Sequence, residues 1–197
     1  MLHGLVGLTT LLLAGMIALR VQASRTPPLP VLGAVPDFAL TEASGKPLCR
    51  ADLGGRVWVA SFIFTRCAGT CPVMSRHLGQ LQSRLSSRDD VRLVSISVDP
   101  QRDTPLGLTE YAKRFGADRS RWWFATGDRT VIRRLARDGF HLAAEDAGPQ
   151  DEEAVLHSSH LTLVDRRGRI RGYYDGTDPT AVTRLLRDAR ALQKEGA

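Results

Sequence analysis

The residues Arg56 to Thr65 (RVWVASFIFT) are almost all β-branched, aromatic or small, and this run constrains everything around it. A strand without polar alternation must be covered on both faces, so the fold has to place other elements on each side of it. The run leads directly into Arg66-Cys67-Ala68-Gly69-Thr70-Cys71-Pro72. Pro72 disfavours helical geometry at Cys71, which predicts a helix proper from Pro72, with both cysteines in the loop or cap before it. Val73, Leu78, Leu81 and Leu85 then recur at helical spacing.

The remaining elements follow the same logic. Val91 to Val98 (VRLVSISV) reads as a second buried strand. Thr104 to Phe115 reads as a helix with Thr104 as N-cap and Pro105 at the first helical position. Trp122 to Ala125 is a short strand, and Asp128 to Asp138 a helix capped by Asp128. His160 to Val164 and Ile170 to Tyr174 form a strand pair across an Asp165-Arg166-Arg167-Gly168 turn, and Asp178-Pro179 opens a final amphipathic helix with Val182, Leu185, Leu186 and Leu192 on its apolar face. Upstream, Phe38, Leu40 and Leu48 flank Ser44-Gly45-Lys46 as a hairpin. This order predicts an α/β domain, a thioredoxin-like mixed sheet flanked by helices.

The N-terminus is organised differently. Residues 2 to 19 contain no Asp, Glu, Lys or Arg. The segment 1–23 therefore reads as a signal peptide, with Val21-Gln22-Ala23 as the cleavage site, or as a single membrane anchor. Residues 24–36 hold four prolines and read as an extended linker, leaving 37–197 as the folded domain. With 43% apolar residues in 197, one core of ordinary size is expected. The net charge of +6 comes from arginines interleaved with Asp and Leu. Without a basic stripe carrying aromatics, no nucleic-acid partner is expected, and the charge reads as solvated surface.

Three cysteines cannot form a disulfide framework, so chemistry is the better reading of at least two of them. At a helix N-terminus, unpaired N–H groups and the positive dipole end favour thiolate over thiol. Two activated sulfurs on one short loop can form a disulfide or clasp a soft metal. Thioredoxins separate their cysteines by two residues, whereas Cys67 and Cys71 are separated by three, a wider bite for one ion. Structural zinc would call for four ligands, and no second cysteine pair exists. Thiolates plus one imidazole suit copper, sulfur favouring Cu(I) and nitrogen helping to retain Cu(II). Cys49, outside any motif, reads as structural, and His3, His77 and His141 as bystanders.

Three blocks, Phe62 to Pro72 (FIFTRCAGTCP), Ser97 to Pro105 (SVDPQRDTP) and His157 to Asp165 (HSSHLTLVD), together resemble the signature blocks of the Sco family, also called SenC. The resemblance covers residues 36 to 192. It implies a membrane-tethered, thioredoxin-like copper protein that serves assembly of the binuclear copper centre of respiratory cytochrome c oxidase. The implied copper ligands are Cys67, Cys71 and His157. His157 fits the family position and lies in the loop before a strand, while His160 alternates with Thr162 and Val164 as a structural residue would. Asp99 reads either as a second-sphere group orienting His157 or as a turn and ion-pair lock with Arg102 and Asp103. The acidic tract 145–153 (EDAGPQDEE) just before His157 reads as a solvated loop or a cover for the site.

The implied partners are a copper-accepting oxidase subunit, an upstream copper donor or thiol reductant, and the membrane through the N-terminus. The implied location is the periplasmic side of the inner membrane. The competing reading is an exported thiol-disulfide reductase, in which Cys67 attacks a disulfide and Cys71 resolves it. Against a general oxidoreductase, Ser158-Ser159-His160 occupies, without proline, the stretch where thioredoxins place their cis-proline.

Overall fold

The computed structural model describes residues 28–142 and 158–195. The acidic tract and His157 lie outside the described residues, as do residues 1–27. Eight strands form one mixed sheet: β1 (Gly33–Ala34), β2 (Ala39–Glu42), β3 (Pro47–Cys49), β4 (Val57–Ile63), β5 (Val91–Ser97), β6 (Trp122–Thr126), β7 (His160–Val164) and β8 (Arg169–Asp175). Their spatial order is β1-β8-β7-β4-β5-β6-β2-β3. β4 pairs in parallel with β5, and β5 with β6, while β7 lies antiparallel to β4. The helices are α1 (Thr70–Ser83), α2 (Pro105–Arg114), α3 (Arg129–Arg134) and α4 (Pro179–Lys194).

Every residue of β4 is buried, as its composition requires. Val57, Val59 and Ile63 face a core layer shared with α1, α2 and α4, which includes Met74, Leu78, Leu108, Tyr111 and Leu185. Trp58, Ala60 and Phe62 face a second layer with α3 and the β2–β3 hairpin, which includes Leu40, Ile132 and Leu135. Phe140 closes this layer edge-on, its ring centroid 5.9 Å from Trp58 and 5.2 Å from Phe62.

The expected caps are in place. Thr104 Oγ1 accepts the Gly107 N–H at 3.2 Å, Asp128 Oδ1 accepts from Thr130 at 2.8 Å and Val131 at 3.0 Å, and Asp178 Oδ1 accepts from Thr180 at 2.8 Å. The predicted helix over Asp128 to Asp138 instead divides. After Arg134 the chain widens into a π-turn, Leu135–Gly139, which buries Leu135 and Ala136 and delivers Phe140 to the core.

One segment departs from its expected role. The prolines of residues 24–36 predict an extended linker, yet within it Gly33 and Ala34 pair with Ile170 and Arg169 as the edge strand β1. The cause is Arg171, whose side chain is only 4% exposed. It donates to the carbonyls of Leu29 at 2.5 Å and Pro30 at 3.0 Å, to Asp165 at 2.9 Å and to Glu195 at 3.1 Å. A buried guanidinium needs acceptors on several sides, and the prolines upstream leave carbonyls without ladder partners to supply them. The segment that precedes β1 is thereby strapped to the end of α4.

Burial pushes the Asp165 carboxyl up, but N–H donation from Arg169, together with the Arg171 and Arg169 guanidiniums, outweighs it and holds the group below the ordinary carboxylate range. A carboxyl depressed in the fold stabilises it above the unfolded value of about 4, and that stability is lost as pH falls through the lower folded value. Arg171→Met should therefore cost about 3 kcal/mol at neutral pH, measured by urea unfolding. The deficit against the parent chain should shrink on acidification below about pH 4.

Candidate metal centre

The cysteine loop leaves the sheet at the carboxyl edge of β4, where sites of open α/β sheets gather. Asp103 holds that exit in place. Its carboxylate is 1% exposed and accepts the Thr65 hydroxyl at 2.6 Å, the Thr65 N–H at 3.0 Å and the Ser97 hydroxyl at 2.6 Å. One buried anion thus ties the first residues after β4 to the last residue of β5. Asp is ordinarily a surface residue, so nothing in the local sequence distinguishes Asp103 from its neighbours in SVDPQRD.

α1 begins at Thr70, with Gly69 as its N-cap, two residues earlier than the proline rule predicts. Pro72 is tolerated there because N–H groups of the first turn have no intrahelical acceptor to lose. Cys71 consequently sits in the first helical turn, only 3% exposed and packed in the core layer of Met74 and Leu78. Cys67 remains in the loop, half-buried. Its N–H donates to the Phe64 carbonyl at 3.2 Å, and its Sγ accepts the Cys71 N–H at 3.5 Å.

This placement makes the two thiols unequal. Burial pushes Cys67 up, but donors from Cys71 and the N–H groups of Gly69 and Thr70 outweigh it and hold the thiol below the ordinary cysteine range. Burial pushes Cys71 up to about 12, reinforced by its own hydrogen bond to Cys67. The fold thus makes Cys67 the more acidic thiol of the pair and Cys71 the less acidic. One helical turn below, Ser75 and Tyr111 bond through their hydroxyls at 3.0 Å, both buried, a polar floor that the sequence pattern did not single out.

Of the other expected site residues, Asp99 lies at the end of β5 and pairs with Arg102 at 3.1 Å. Its carbonyl accepts the N–H groups of Arg102 and Asp103 at 3.1 and 2.9 Å, so the turn and ion-pair arrangement is present. Asp99 also lines a cavity of about 230 Å³ with Phe64, Val98, Gln101 and Arg102, beside the cysteine loop. His160 is exposed at the start of β7, its Nδ1 3.2 Å from the Ser158 hydroxyl and its ring edge-on to Tyr173. His77 Nδ1 lies 2.8 Å from the Gly176 carbonyl and ties α1 to the segment before α4. Cys49 is half-buried, and its thiol donates to Asp52 at 3.1 Å, a structural role at the end of β3.

No group of three potential metal ligands occurs among the described residues. Two neighbouring sulfurs, one in the loop and one in the first turn of α1, supply a soft, partial donor set that fits copper.

A central parallel β4-β5-β6 core, extended by antiparallel β7-β8 and flanked by four helices, with paired cysteines where β4 turns into α1, defines a thioredoxin-like domain. The chain belongs to the SCO1/SenC family, whose model matches residues 31–191. It is similar in structure to a SCO1/SenC family lipoprotein from Bacillus anthracis, with a TM-score of 0.73 and 32% identity over 82% of this chain and 95% of that one. A second similar structure is BsSco, a member of the Sco family of cytochrome c oxidase assembly proteins in which a disulfide switch is identified, with a TM-score of 0.73 and 31% identity over 86% of this chain and 99% of that one. A third is Arabidopsis thaliana ScoI with copper bound, with a TM-score of 0.62 and 25% identity over 80% of this chain and 99% of that one.

The unequal thiols make a direct prediction. In the reduced chain, iodoacetamide should modify Cys67 well before Cys71, by about tenfold or more in rate at neutral pH. Peptide mass spectrometry resolves the two, and the Cys67 rate should reach its plateau at a lower pH than an ordinary thiol. Equal rates would contradict the geometry.

Proposed function

We propose that this chain is a copper chaperone that delivers copper to the binuclear copper centre of a respiratory cytochrome c oxidase, with Cys67, Cys71 and His157 as the copper ligands. The observation that carries this reading is the pair of unequal sulfurs at the carboxyl edge of β4, in a chain of the SCO1/SenC family. The copper held by the Arabidopsis relative supports it. Copper here is cargo, taken up and surrendered. Two thiolates favour Cu(I), and an imidazole beside them retains Cu(II). Cys67, the more acidic and more exposed thiol, offers the first bond. Cys71 gives up its proton only when the metal replaces it, so proton release accompanies loading.

The partners in this reading are an upstream copper donor, a thiol reductant and the copper-accepting oxidase subunit. The chain acts on the extracytoplasmic face of a membrane, held or exported by residues 1–23, as the lipoprotein relative supports. An oxidising compartment tends to close Cys67 and Cys71 into a disulfide, and the disulfide switch of BsSco is in keeping with such a cycle. Only the reduced pair can accept copper.

The inequality of the thiols also favours a second activity, thiol-disulfide exchange. The Cys67 thiolate attacks a partner disulfide and releases one partner thiolate. Cys71 then loses its proton and displaces the second, leaving the Cys67–Cys71 disulfide and a partner reduced by two electrons.

Copper titration of the reduced chain separates the readings. One copper per chain is expected, with sulfur-to-copper charge transfer in the Cu(II) form. Cys67→Ala or Cys71→Ala should abolish binding, and His157→Ala should weaken chiefly the Cu(II) state, by about tenfold or more. Unchanged stoichiometry in the double cysteine variant would overturn the copper reading. Catalytic disulfide reduction by the copper-free chain, retained in His157→Ala, would favour the exchange activity.

A further inference from the structure

The end of the domain opposite the cysteines carries a feature with no part in the chemistry above. A groove of about 550 Å³ between α4 and the end of α1 is lined by Arg84, Thr183, Arg187, Arg190, Lys194 and their neighbours. Thr183, Arg187, Arg190 and Lys194 follow one another at four- and three-residue steps, so a single face of α4 presents three cations. Arg84 completes the wall, its guanidinium donating to the Thr183 hydroxyl at 3.3 Å and its carbonyl accepting from Arg190 at 2.8 Å. Arg190 is paired with Asp89 and Arg187 with Asp188. Arg84 and Lys194 are exposed and have no carboxylate partner among the described residues. The groove therefore keeps two cations without a carboxylate partner, and its one lining carboxylate, Glu195, is engaged by Arg171.

The position of the chain's N-terminal side identifies what this charge faces. Glu195, at the end of the groove, shares the Arg171 guanidinium with the Leu29 carbonyl. The strap therefore reaches the domain beside the basic groove. Only Arg20 to Pro28 separate that point from the uncharged stretch 2–19, a reach of about 30 Å when fully extended. If residues 2–19 enter a membrane, the groove is confined near its surface. α1, with 14 residues, spans about 20 Å between the groove and the cysteine end.

We propose that the α1–α4 groove is a docking surface for the anionic headgroups of the membrane to which the N-terminal segment tethers the chain. Phosphate oxygens of the headgroups meet Arg84, Arg187 and Lys194, and the cysteine end is turned away from the bilayer toward a partner. This proposal rests on the tethered reading of residues 1–23, and the test separates the two.

The full chain is mixed with vesicles of phosphatidylcholine alone, or of phosphatidylcholine with about one third phosphatidylglycerol, followed by flotation and hydrogen exchange of the α4 segment. The expected result is flotation with both vesicles, and exchange in the last turns of α4 slowed about tenfold more on the anionic ones. The extra protection should disappear at high salt and in Arg84→Glu/Lys194→Glu, a variant that should keep its copper stoichiometry. Flotation with both vesicles and identical α4 exchange on each would overturn the groove and leave the tether standing. Flotation and α4 protection on anionic vesicles alone would support the groove and overturn the tether. Protection that survives in the double variant would overturn the groove.

Discussion

The two-sided burial of β4 is the constraint on which the rest of the structure depends. Its seven residues are all buried, so each face needs its own layer of apolar cover, and the helices are divided between the layers to provide it. A strand enclosed in this way can meet solvent only at its ends. The cysteine loop therefore emerges at the carboxyl edge, positioned by a strand buried along its whole length. Asp103 carries that anchoring one step further, fastening Thr65 to the end of β5 through three hydrogen bonds.

The pair of sulfurs gains its asymmetry from a displacement of two residues. With α1 beginning at Thr70, Cys71 is carried into the core while Cys67 stays in the loop. One thiol is deprived of water and remains protonated. The other collects backbone and side-chain donors and gives up its proton more readily. A copper ion and a partner disulfide would both meet the same order of events, with Cys67 engaged first and Cys71 second, so a chaperone and a reductase need not use different sites.

The opposite end of the domain shows how charge that is uninformative along the chain becomes organised in space. Arg84, Arg187, Arg190 and Lys194 are separated by up to 110 positions, and they meet because α1 and α4 pack on the same face of the sheet. Arg171 works in the same way, gathering Leu29, Asp165 and Glu195 around one guanidinium. It converts part of an apparent linker into an edge strand.

Sequence alone determined the core strands, the three side-chain caps and the identity of the cysteine pair, but not the edge strand β1. The apolar runs are short and rich in β-branched and aromatic residues, Thr104, Asp128 and Asp178 are short-range signals, and CAGTCP lies a few residues past a buried strand. The order of elements implied a thioredoxin-like mixed sheet, and the structure bears that out. Tertiary structure decided what depends on partners distant in the chain: the burial of Asp103 and Arg171, the start of α1, the unequal acidity of Cys67 and Cys71, and the basic groove. Local sequence records which groups a residue carries. Burial and charge neighbourhood are set by segments dozens of residues away, and they exist only once the chain has closed on itself.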